Sequence, residues 1–261
     1  MTKIFYFSGT GNTLWSAKKI AEMLNGNCEL FNIGVEMRKP AEPIEANRVI
    51  VLFPAYAYQA PLLVRRFFIR SEVRSPYIAA LATFGTDPGG ALAEAYRIFK
   101  RKKTAVAYFA SIPCVENYIP LFGPQSEETK RRRLALQKNA TEKIARDILN
   151  RKTNSVWPLR PFSMCTSSLF RLGKPLFVKA FKVKAACNGC GVCARICPAA
   201  NITIEGINPV FSAHCEQCQA CLNWCPRRAI GYLRFDPDRF QYHHPEVTVS
   251  EMYCSKDLFR Q

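Results

Sequence analysis

The sequence predicts an α/β protein in two parts, a doubly wound five-stranded parallel sheet followed by a smaller α+β domain. Strand-like and helix-like segments alternate over the first 150 residues, and a glycine-rich turn follows the first of them. Eight of the twelve cysteines lie between Cys187 and Cys225. Of the 261 residues, 48% are hydrophobic and 22% are charged. This composition is typical of a folded protein with a buried core and excludes wholesale disorder.

The sheet is predicted from segments whose apolar residues follow strand or helix spacing. Residues 48–53 form a continuous apolar run, as expected for a strand covered on both faces. Strands are expected at 3–7, 29–33, 48–53, 77–84 and 104–110, and helices at 13–24, 61–70, 90–103 and 126–150. Short loops between alternating strands and helices favour a parallel sheet with helices on both faces. The ligand site of such a sheet lies beyond the carboxyl ends of its strands.

A glycine-rich turn joins the first strand to the first helix. Its residues are Ser8, Gly9, Thr10, Gly11, Asn12 and Thr13. Backbone N–H groups of such a turn and of the helix that follows can bind one anion. The turn lacks the Gly-Lys-Ser/Thr of a P-loop, and Leu14 stands where a dinucleotide fingerprint has its third glycine. We therefore expect a single terminal phosphate here, the alternative being an ordinary tight turn.

The cysteine-rich segment contains one motif twice, offset by 28 residues. Each copy has the form C-x2-C-x2-C-x3-C-P, which is the bacterial run for [4Fe–4S] clusters. The first copy ends at Pro198 and the second at Pro226. The alternatives are zinc sites and disulfides, but a zinc site needs only two pairs of ligands. Two complete copies of the cluster run favour two [4Fe–4S] clusters.

In this motif the fourth cysteine of each run ligates the other cluster. Cluster one is therefore expected to use Cys187, Cys190, Cys193 and Cys225. Cluster two is expected to use Cys215, Cys218, Cys221 and Cys197. The scattered cysteines are interpreted as buried structural thiols, because cysteine is so often interior; they are Cys28, Cys114, Cys165 and Cys254.

The glycine-rich turn resembles the loop with which flavodoxins hold the phosphate of FMN. Two later segments match the ring-binding loops of that family in position, one after the third strand and one after the fourth. The resemblance implies that backbone of these loops contacts the isoalloxazine, with Tyr56 or Phe84 as a stacking partner. The implied FMN-binding residues of these loops are Pro54, Ala55, Tyr56, Ala57, Thr83, Phe84, Gly85 and Gly89.

The chain as a whole resembles the flavodoxin–ferredoxin fusion family of anaerobic bacteria and archaea. This resemblance implies a flavodoxin-like sheet with strand order 2-1-3-4-5 and a two-[4Fe–4S] ferredoxin domain. We expect an FMN domain at 1–150, a basic connector at 151–182, the ferredoxin domain at 183–245 and a tail at 246–261. The implied cofactors are FMN and two [4Fe–4S] clusters.

The chain is strongly basic, with 37 Lys and Arg against 20 Asp and Glu and a formal net charge of +17. No acidic residue occurs between Asp147 and Glu205. Two oxidised clusters and an FMN phosphate would offset about six of these charges. The rest suits an acidic redox partner protein, such as a ferredoxin or a reductase. It would suit nucleic acid equally, but the sequence contains no nucleic-acid-binding motif.

These observations predict an electron-transfer protein that relays electrons between FMN and the two clusters. The alternative is an FMN-dependent reductase of a small molecule, with Tyr56, Tyr58, His243 or His244 as proton donor. A redox-sensing nucleic-acid binder is a third hypothesis. The longest apolar run, 49–64, is 16 residues long and includes Pro54 and Pro61, whereas a membrane span needs about 20. We expect a location in the reducing cytoplasm.

Overall fold

The computed structural model describes residues 1–25, 27–155, 177–233 and 240–254. Its first half contains seven strands: β1 (Thr2–Tyr6), β2 (Cys28–Asn32), β3 (Ile44–Glu45), β4 (Arg48–Pro54), β5 (Val73–Arg74), β6 (Ile78–Phe84) and β7 (Tyr108–Pro113). Five of these form one parallel sheet in the order β2-β1-β4-β6-β7, while β3 pairs with β5. Counted among the five, this is the order 2-1-3-4-5, so the predicted flavodoxin-like parallel sheet is confirmed for this part.

Helices of the first half follow the strands. They are α1 (Asn12–Met23), α2 (Ile33–Glu36), α3 (Leu62–Arg70), α4 (Ala91–Arg101), α5 (Ile119–Phe122) and α6 (Glu127–Leu149). The long α6 begins where the sequence places a cap, because the Ser126 side chain accepts a hydrogen bond from Thr129 N. The middle strands β4 and β6 are almost wholly buried, as the continuous apolar runs predict for strands covered on both faces.

The fifth strand lies further along the chain than predicted. Residues 104–110 were expected to form it, whereas β7 begins at Tyr108 and ends at Pro113. Its ladder with β6 begins with Ala79 opposite Tyr108. Residues before it belong to a turn after α4, in which Lys103 has a positive φ of 55°. The apolar run alone did not reveal where the pairing starts.

The second half is built from short elements. They are β8 (Phe181–Val183), α7 (Val192–Arg195), β9 (Ile202–Glu205), β10 (Asn208–Phe211), α8 (Ala220–Asn223) and β11 (Ile230–Tyr232). Strand β8 pairs antiparallel with β11, and β9 pairs antiparallel with β10. The sequence repeat reappears as structure, because α7 and α8 both begin after a residue in the left-handed conformation, Gly191 and Gln219.

Both halves pack against each other. One hydrophobic cluster contains β-sheet residues such as Phe5 together with Cys218, Trp224 and Met252. The segment 240–254 returns from the second half to the first. Of the predicted connector, residues 156–176 lie outside the described residues, as do Cys165 and the last seven residues of the tail. No helix in the described ranges is both long and apolar enough to cross a membrane.

Candidate functional site

A cavity lies beyond the carboxyl ends of β1, β4, β6 and β7, where the strand order predicts the ligand site. It holds about 1030 Å³ of atom-free space, its open mouth included. Most of the predicted FMN-binding residues line it: Ser8, Gly9, Thr10, Asn12, Thr13, Pro54, Ala55, Tyr56, Ala57, Thr83, Phe84 and Gly85. Gly11 and Gly89 do not line it. Gly11 faces the side chains of His244 and Val247, and Gly89 packs against Tyr58.

The glycine-rich turn has the form of an anion site. Gly11 has a φ of 94°, which favours glycine, and its N–H donates to the Ser8 hydroxyl at 3.1 Å. Helix α1 starts directly after it, since Trp15 N donates to Gly11 O at 2.8 Å. The first N–H groups of a helix have no acceptor within the helix. Those of Asn12 and Thr13 are therefore available to an anion in the cavity, which the positive end of α1 also favours.

Side chains of the turn hold the surrounding loops together. The Asn12 amide nitrogen donates to Val115 O at 3.0 Å, and its oxygen accepts from the Tyr242 hydroxyl at 2.7 Å. The hydroxyls of Thr13 and Thr83 are 2.8 Å apart. Asn12 thus has its side chain engaged by the protein, so that it contributes to the cavity through its backbone.

Sequence reasoning missed a fourth loop, which follows β7 and lines the same cavity with residues 114–118. The Glu116 carboxylate accepts from the N–H groups of Asn117 and Tyr118 at 3.0 and 2.9 Å. Asn117 in turn donates to the Thr10 hydroxyl at 2.9 Å. The switch-point rule predicts ligand contacts after every neighbouring strand, but the misplaced end of the fifth strand hid this loop.

Tyr56 is half-buried beside the turn, with its hydroxyl pointing into the protein. Burial raises the pKa of its phenol well above the usual value, and the nearby Cys218 adds to the rise. The hydroxyl oxygen is buried and makes no hydrogen bond of good geometry among the described residues, although the nearby Asn117 side chain acts against the rise in pKa. The ring lies edge-on to Phe7, with 6.3 Å between ring centroids. Tyr58, in the same loop, is 37% exposed and also lines the cavity.

The eight clustered cysteines line two further cavities, four in each. Cys187, Cys190, Cys193 and Cys225 line one, with about 330 Å³ of atom-free space. Cys197, Cys215, Cys218 and Cys221 line the other, with about 350 Å³. The fourth cysteine of each run therefore lies with the first three of the other run. We call these the outer and the inner cysteine cavity, because Cys190 is exposed whereas Cys218 and Cys221 are buried.

Three buried thiols of these cavities have strongly raised pKa values. Burial raises the pKa of Cys193 to about 12, and its neighbours Cys225, Cys190 and Cys187 add to the rise. Burial also raises the pKa of Cys218 and Cys221 well above the usual value, with Cys197 among the neighbours that add to it. Without a cation these thiols stay protonated at neutral pH. A metal centre that binds them must displace their protons.

The inner cysteine cavity adjoins the glycine-rich turn. A methyl group placed on Gly9 would lie 2.5 Å from the Cys218 carbonyl oxygen and 3.1 Å from Cys218 Cβ. The Trp224 indole N–H donates to Gly9 O at 3.1 Å. Glu216 accepts from the N–H groups of Leu62 and Leu63 at 2.9 and 2.8 Å, which caps α3 from the other half of the protein. The absence of a Gly9 side chain is what permits this close approach.

The two candidate histidines serve the packing of the segment 240–254. His244 is buried, and its ring stacks on Trp15 at 4.9 Å between ring centroids. Its backbone N–H donates to Thr10 O at 2.8 Å. Burial lowers its pKa to about 4, although Glu246 acts in the opposite direction. His243 is exposed and stacks on Trp224 at 4.2 Å. Neither histidine lines the large cavity, so their predicted alternative role as proton donors finds no geometric support there.

The other cysteines of the described residues do not line the two cysteine cavities. Cys114 and Cys254 are buried and Cys28 is half-buried. The Cys254 thiol accepts from the Asn32 side-chain amide at 3.3 Å, and Cys114 lines the large cavity. Burial raises the pKa of Cys254 to about 11. The expectation of buried thiols therefore holds for Cys114 and Cys254 but not for Cys28.

No model of a protein family and no curated protein matches this chain. Among solved structures, it is similar to a flavodoxin from the domain Archaea at 16% identity and a TM-score of 0.34. That match covers 55% of this chain and 99% of the other. A flavodoxin from Megasphaera elsdenii has 16% identity and a TM-score of 0.33, and the match covers 54% and 99% of the two chains.

A flavoprotein in complex with FMN from Lactobacillus acidophilus has 13% identity and a TM-score of 0.32. The match covers 42% of this chain and 91% of the other. Since these TM-scores are below 0.5, the assignment of the fold rests on the strand order of the sheet itself.

Proposed function

We propose that this chain is an electron-transfer flavo-iron–sulfur protein that links FMN in the large cavity to a [4Fe–4S] cluster in each cysteine cavity. One observation carries the proposal. Each cavity gathers four cysteines in the crossed set of a two-cluster protein, and one of the two lies against the glycine-rich turn. The second half of the chain is on this proposal the ferredoxin domain, with its two symmetric antiparallel pairs.

The large cavity suits FMN in three respects. First-turn N–H groups of α1 face an anion site at its glycine-rich end. Four loops at the strand ends line it, which is where doubly wound sheets bind nucleotides. The unpartnered Tyr56 hydroxyl is a buried donor that a ligand can satisfy. The phosphate is assigned to the turn and the ring to the loops after β4, β6 and β7.

The cysteine cavities suit cubane clusters better than single ions. Within the described ranges, no three His, Cys, Asp or Glu side chains are grouped so that they could hold a metal ion. A [4Fe–4S] cluster has one thiolate on each of four iron atoms, so its ligands surround a space rather than one point. In support, three sulfurs already accept backbone N–H groups: Cys197 from Asn201 at 3.2 Å, Cys225 from Ala229 at 3.3 Å and Cys215 from Gln217 at 3.3 Å.

FMN exchanges one or two electrons and each cluster exchanges one, so the set of cofactors connects two-electron with one-electron chemistry. The protein supplies burial, orientation and hydrogen bonds. Buried apolar residues such as Ile202 and Leu222 form one hydrophobic cluster with four of the cysteines, Cys193, Cys197, Cys221 and Cys225. Trp224 holds the inner cysteine cavity against the turn and Glu216 holds it against α3, so that the distance between the two sites is fixed.

The outer cysteine cavity is the proposed exit to a partner. Cys190 is exposed, and the exposed Arg227 lines the same cavity. Lys182, also exposed, lies on β8 opposite Gly231 of β11. Such a surface favours an acidic redox protein, whose encounter rate would fall as salt rises. Because thiols must stay reduced to receive iron, we place the protein in the reducing cytoplasm.

Anaerobic reconstitution tests the proposal. The chain is expected to bind about one FMN, about eight iron atoms and about eight sulfides, as two clusters of this type require. A chain that retains no FMN, or whose iron comes without sulfide, would contradict it. Oxidation of the reduced flavin by a small molecule, in the absence of any partner protein, would favour the alternative function of a reductase.

A further inference from the structure

Gln217 belongs to the second cysteine run but lines the large cavity of the first half. It is the one residue of the described second half that does so. It is 1% exposed, and its backbone N–H donates to the Cys215 sulfur at 3.3 Å. The residue therefore contacts a sulfur of the inner cysteine cavity with its backbone while its side chain faces the site assigned to FMN.

The side-chain amide of Gln217 is only half satisfied. Its oxygen accepts a hydrogen bond from the Tyr232 hydroxyl at 2.9 Å, which fixes the orientation of the amide. Its nitrogen is buried and has no partner in the described part of the chain. A buried amide N–H without a partner costs about 1–3 kcal/mol, and a ligand bound in the cavity that Gln217 lines would supply the missing acceptor.

We propose that Gln217 is a flavin-binding residue supplied by the cysteine-rich half, whose amide N–H donates to the FMN in the large cavity. The proposal rests on the proposed function, since it needs a flavin there. It deepens that function in one respect: the flavin site is completed only when the two halves are docked. Gln217 then contacts both sites, because its backbone N–H donates to the Cys215 sulfur and its side-chain amide donates to the flavin.

A comparison with the nearby Gln219 supports the assignment of Gln217 as the donor. The neighbouring Gln219 has the same left-handed backbone, with φ of 58° against 57°, and is also buried. Its side chain lines the inner cysteine cavity and not the large one. The two glutamines therefore carry the same amide group but line different cavities, and only Gln217 lines the cavity assigned to the flavin.

Two substitutions in the full-length, anaerobically reconstituted protein test this. Gln217→Glu keeps an oxygen for Tyr232 and replaces the N–H donor by a carboxylate. Gln217→Met removes both polar atoms with little change of volume. Titration with FMN at pH 8, followed by flavin fluorescence, gives the dissociation constant, and a redox titration gives the flavin midpoint potential. Iron and sulfide contents equal to those of the unsubstituted protein establish that each variant is folded.

The loss of one hydrogen bond predicts FMN binding weaker by about three- to tenfold in Gln217→Met. Gln217→Glu is expected to weaken it further and to lower the flavin potential, because a carboxylate disfavours an added negative charge. Gln241→Met is the matched control, since Gln241 donates to Leu222 O and Cys225 O, away from the large cavity. It is expected to leave the FMN dissociation constant within about twofold, the scale of a few tenths of a kcal/mol.

Unchanged FMN affinity and potential in both Gln217 variants, with full iron content, would overturn the inference and leave the proposed function standing. Equal weakening by the Gln241→Met control would also overturn it, since the effect would then be one of packing. An unsubstituted chain that binds no FMN at all overturns the proposed function, and this inference with it. The three results are distinguishable from one set of titrations.

Discussion

Gly9 is the position at which the glycine-rich turn and the inner cysteine cavity come closest, so Gly9→Ala should force them apart. The added methyl would lie 2.5 Å from the Cys218 carbonyl oxygen and 2.8 Å from the Tyr56 hydroxyl. Ordinary carbon contacts are about 3.5 Å, so the two loops must separate by about 1 Å. Overpacking of this kind costs about 1–3 kcal/mol, and we expect the free energy of unfolding to fall by that amount.

The assay is denaturant unfolding of the reconstituted protein, combined with a double-mutant cycle. Tyr56→Phe removes one of the two oxygens that the methyl meets, so it should relieve part of the cost, with a coupling energy of at least about 0.5 kcal/mol. Gly123→Ala is the control, because Gly123 has a φ of 69° but open space around its Cβ position. With its ψ of 178° this backbone is one that almost only glycine adopts, so the control should cost about 1–3 kcal/mol and add independently to Tyr56→Phe. The reasoning is refuted if Gly9→Ala is as stable as the unsubstituted protein, or if its effect also adds independently to that of Tyr56→Phe.

Three further predictions concern the cluster ligands, the capped helix and the segment 240–254. Cys225→Ala should leave about four iron atoms per chain, and so should the double variant Cys190→Ala with Cys225→Ala. The double variant Cys221→Ala with Cys225→Ala should leave almost none, because these two cysteines belong to different clusters. Equal iron contents in the two double variants would refute the crossed assignment. Glu216→Ala should lower the unfolding free energy by about 1–2 kcal/mol through loss of the cap on α3, while Glu205→Ala, on the exposed β9, should change it by less than about 0.5 kcal/mol. Since the folded protein holds the pKa of His244 near 4, below the ordinary value of about 6.5, its unfolded form binds the proton more readily. The stability contributed by neutral His244 should therefore be complete above about pH 6.5 and decline as the pH falls from there to about 4, and a His244→Gln variant that keeps the same pH dependence over this range would contradict the assignment.

Some parts of the site could be predicted from the sequence and others could not. The cysteine spacing determined which four cysteines share each cavity, because a motif with fixed ligand spacing leaves few geometries. Alternating apolar runs predicted the parallel sheet, while the glycine-rich turn and the resemblance to flavodoxins implied three of the four loops around the large cavity. Both ends of β7 were predicted too early in the chain, since an apolar run does not reveal where strand pairing begins. The loop after it, with Glu116 and Asn117, was therefore missed.

The contacts between the two halves were beyond sequence reasoning altogether. Gln217 and Glu216 are two polar residues within a cysteine run. Nothing in their spacing indicates that Gln217 lines the large cavity or that Glu216 caps α3. His244 was a candidate proton donor as a residue type, but its position is determined by stacking on Trp15. Docking of this kind depends on the shapes of folded surfaces, which a local pattern does not encode.

The central claim, an electron relay within one chain, is tested most directly by the kinetics of internal transfer. The chain is loaded with FMN and both clusters, the clusters are reduced rapidly under anaerobic conditions, and flavin absorbance is followed by stopped flow over a tenfold range of protein concentration. The close contact of Gly9 with Cys218 predicts that the flavin is reduced at a rate independent of protein concentration. A rate proportional to protein concentration, or a flavin that stays oxidised while the clusters are reduced, would contradict the account.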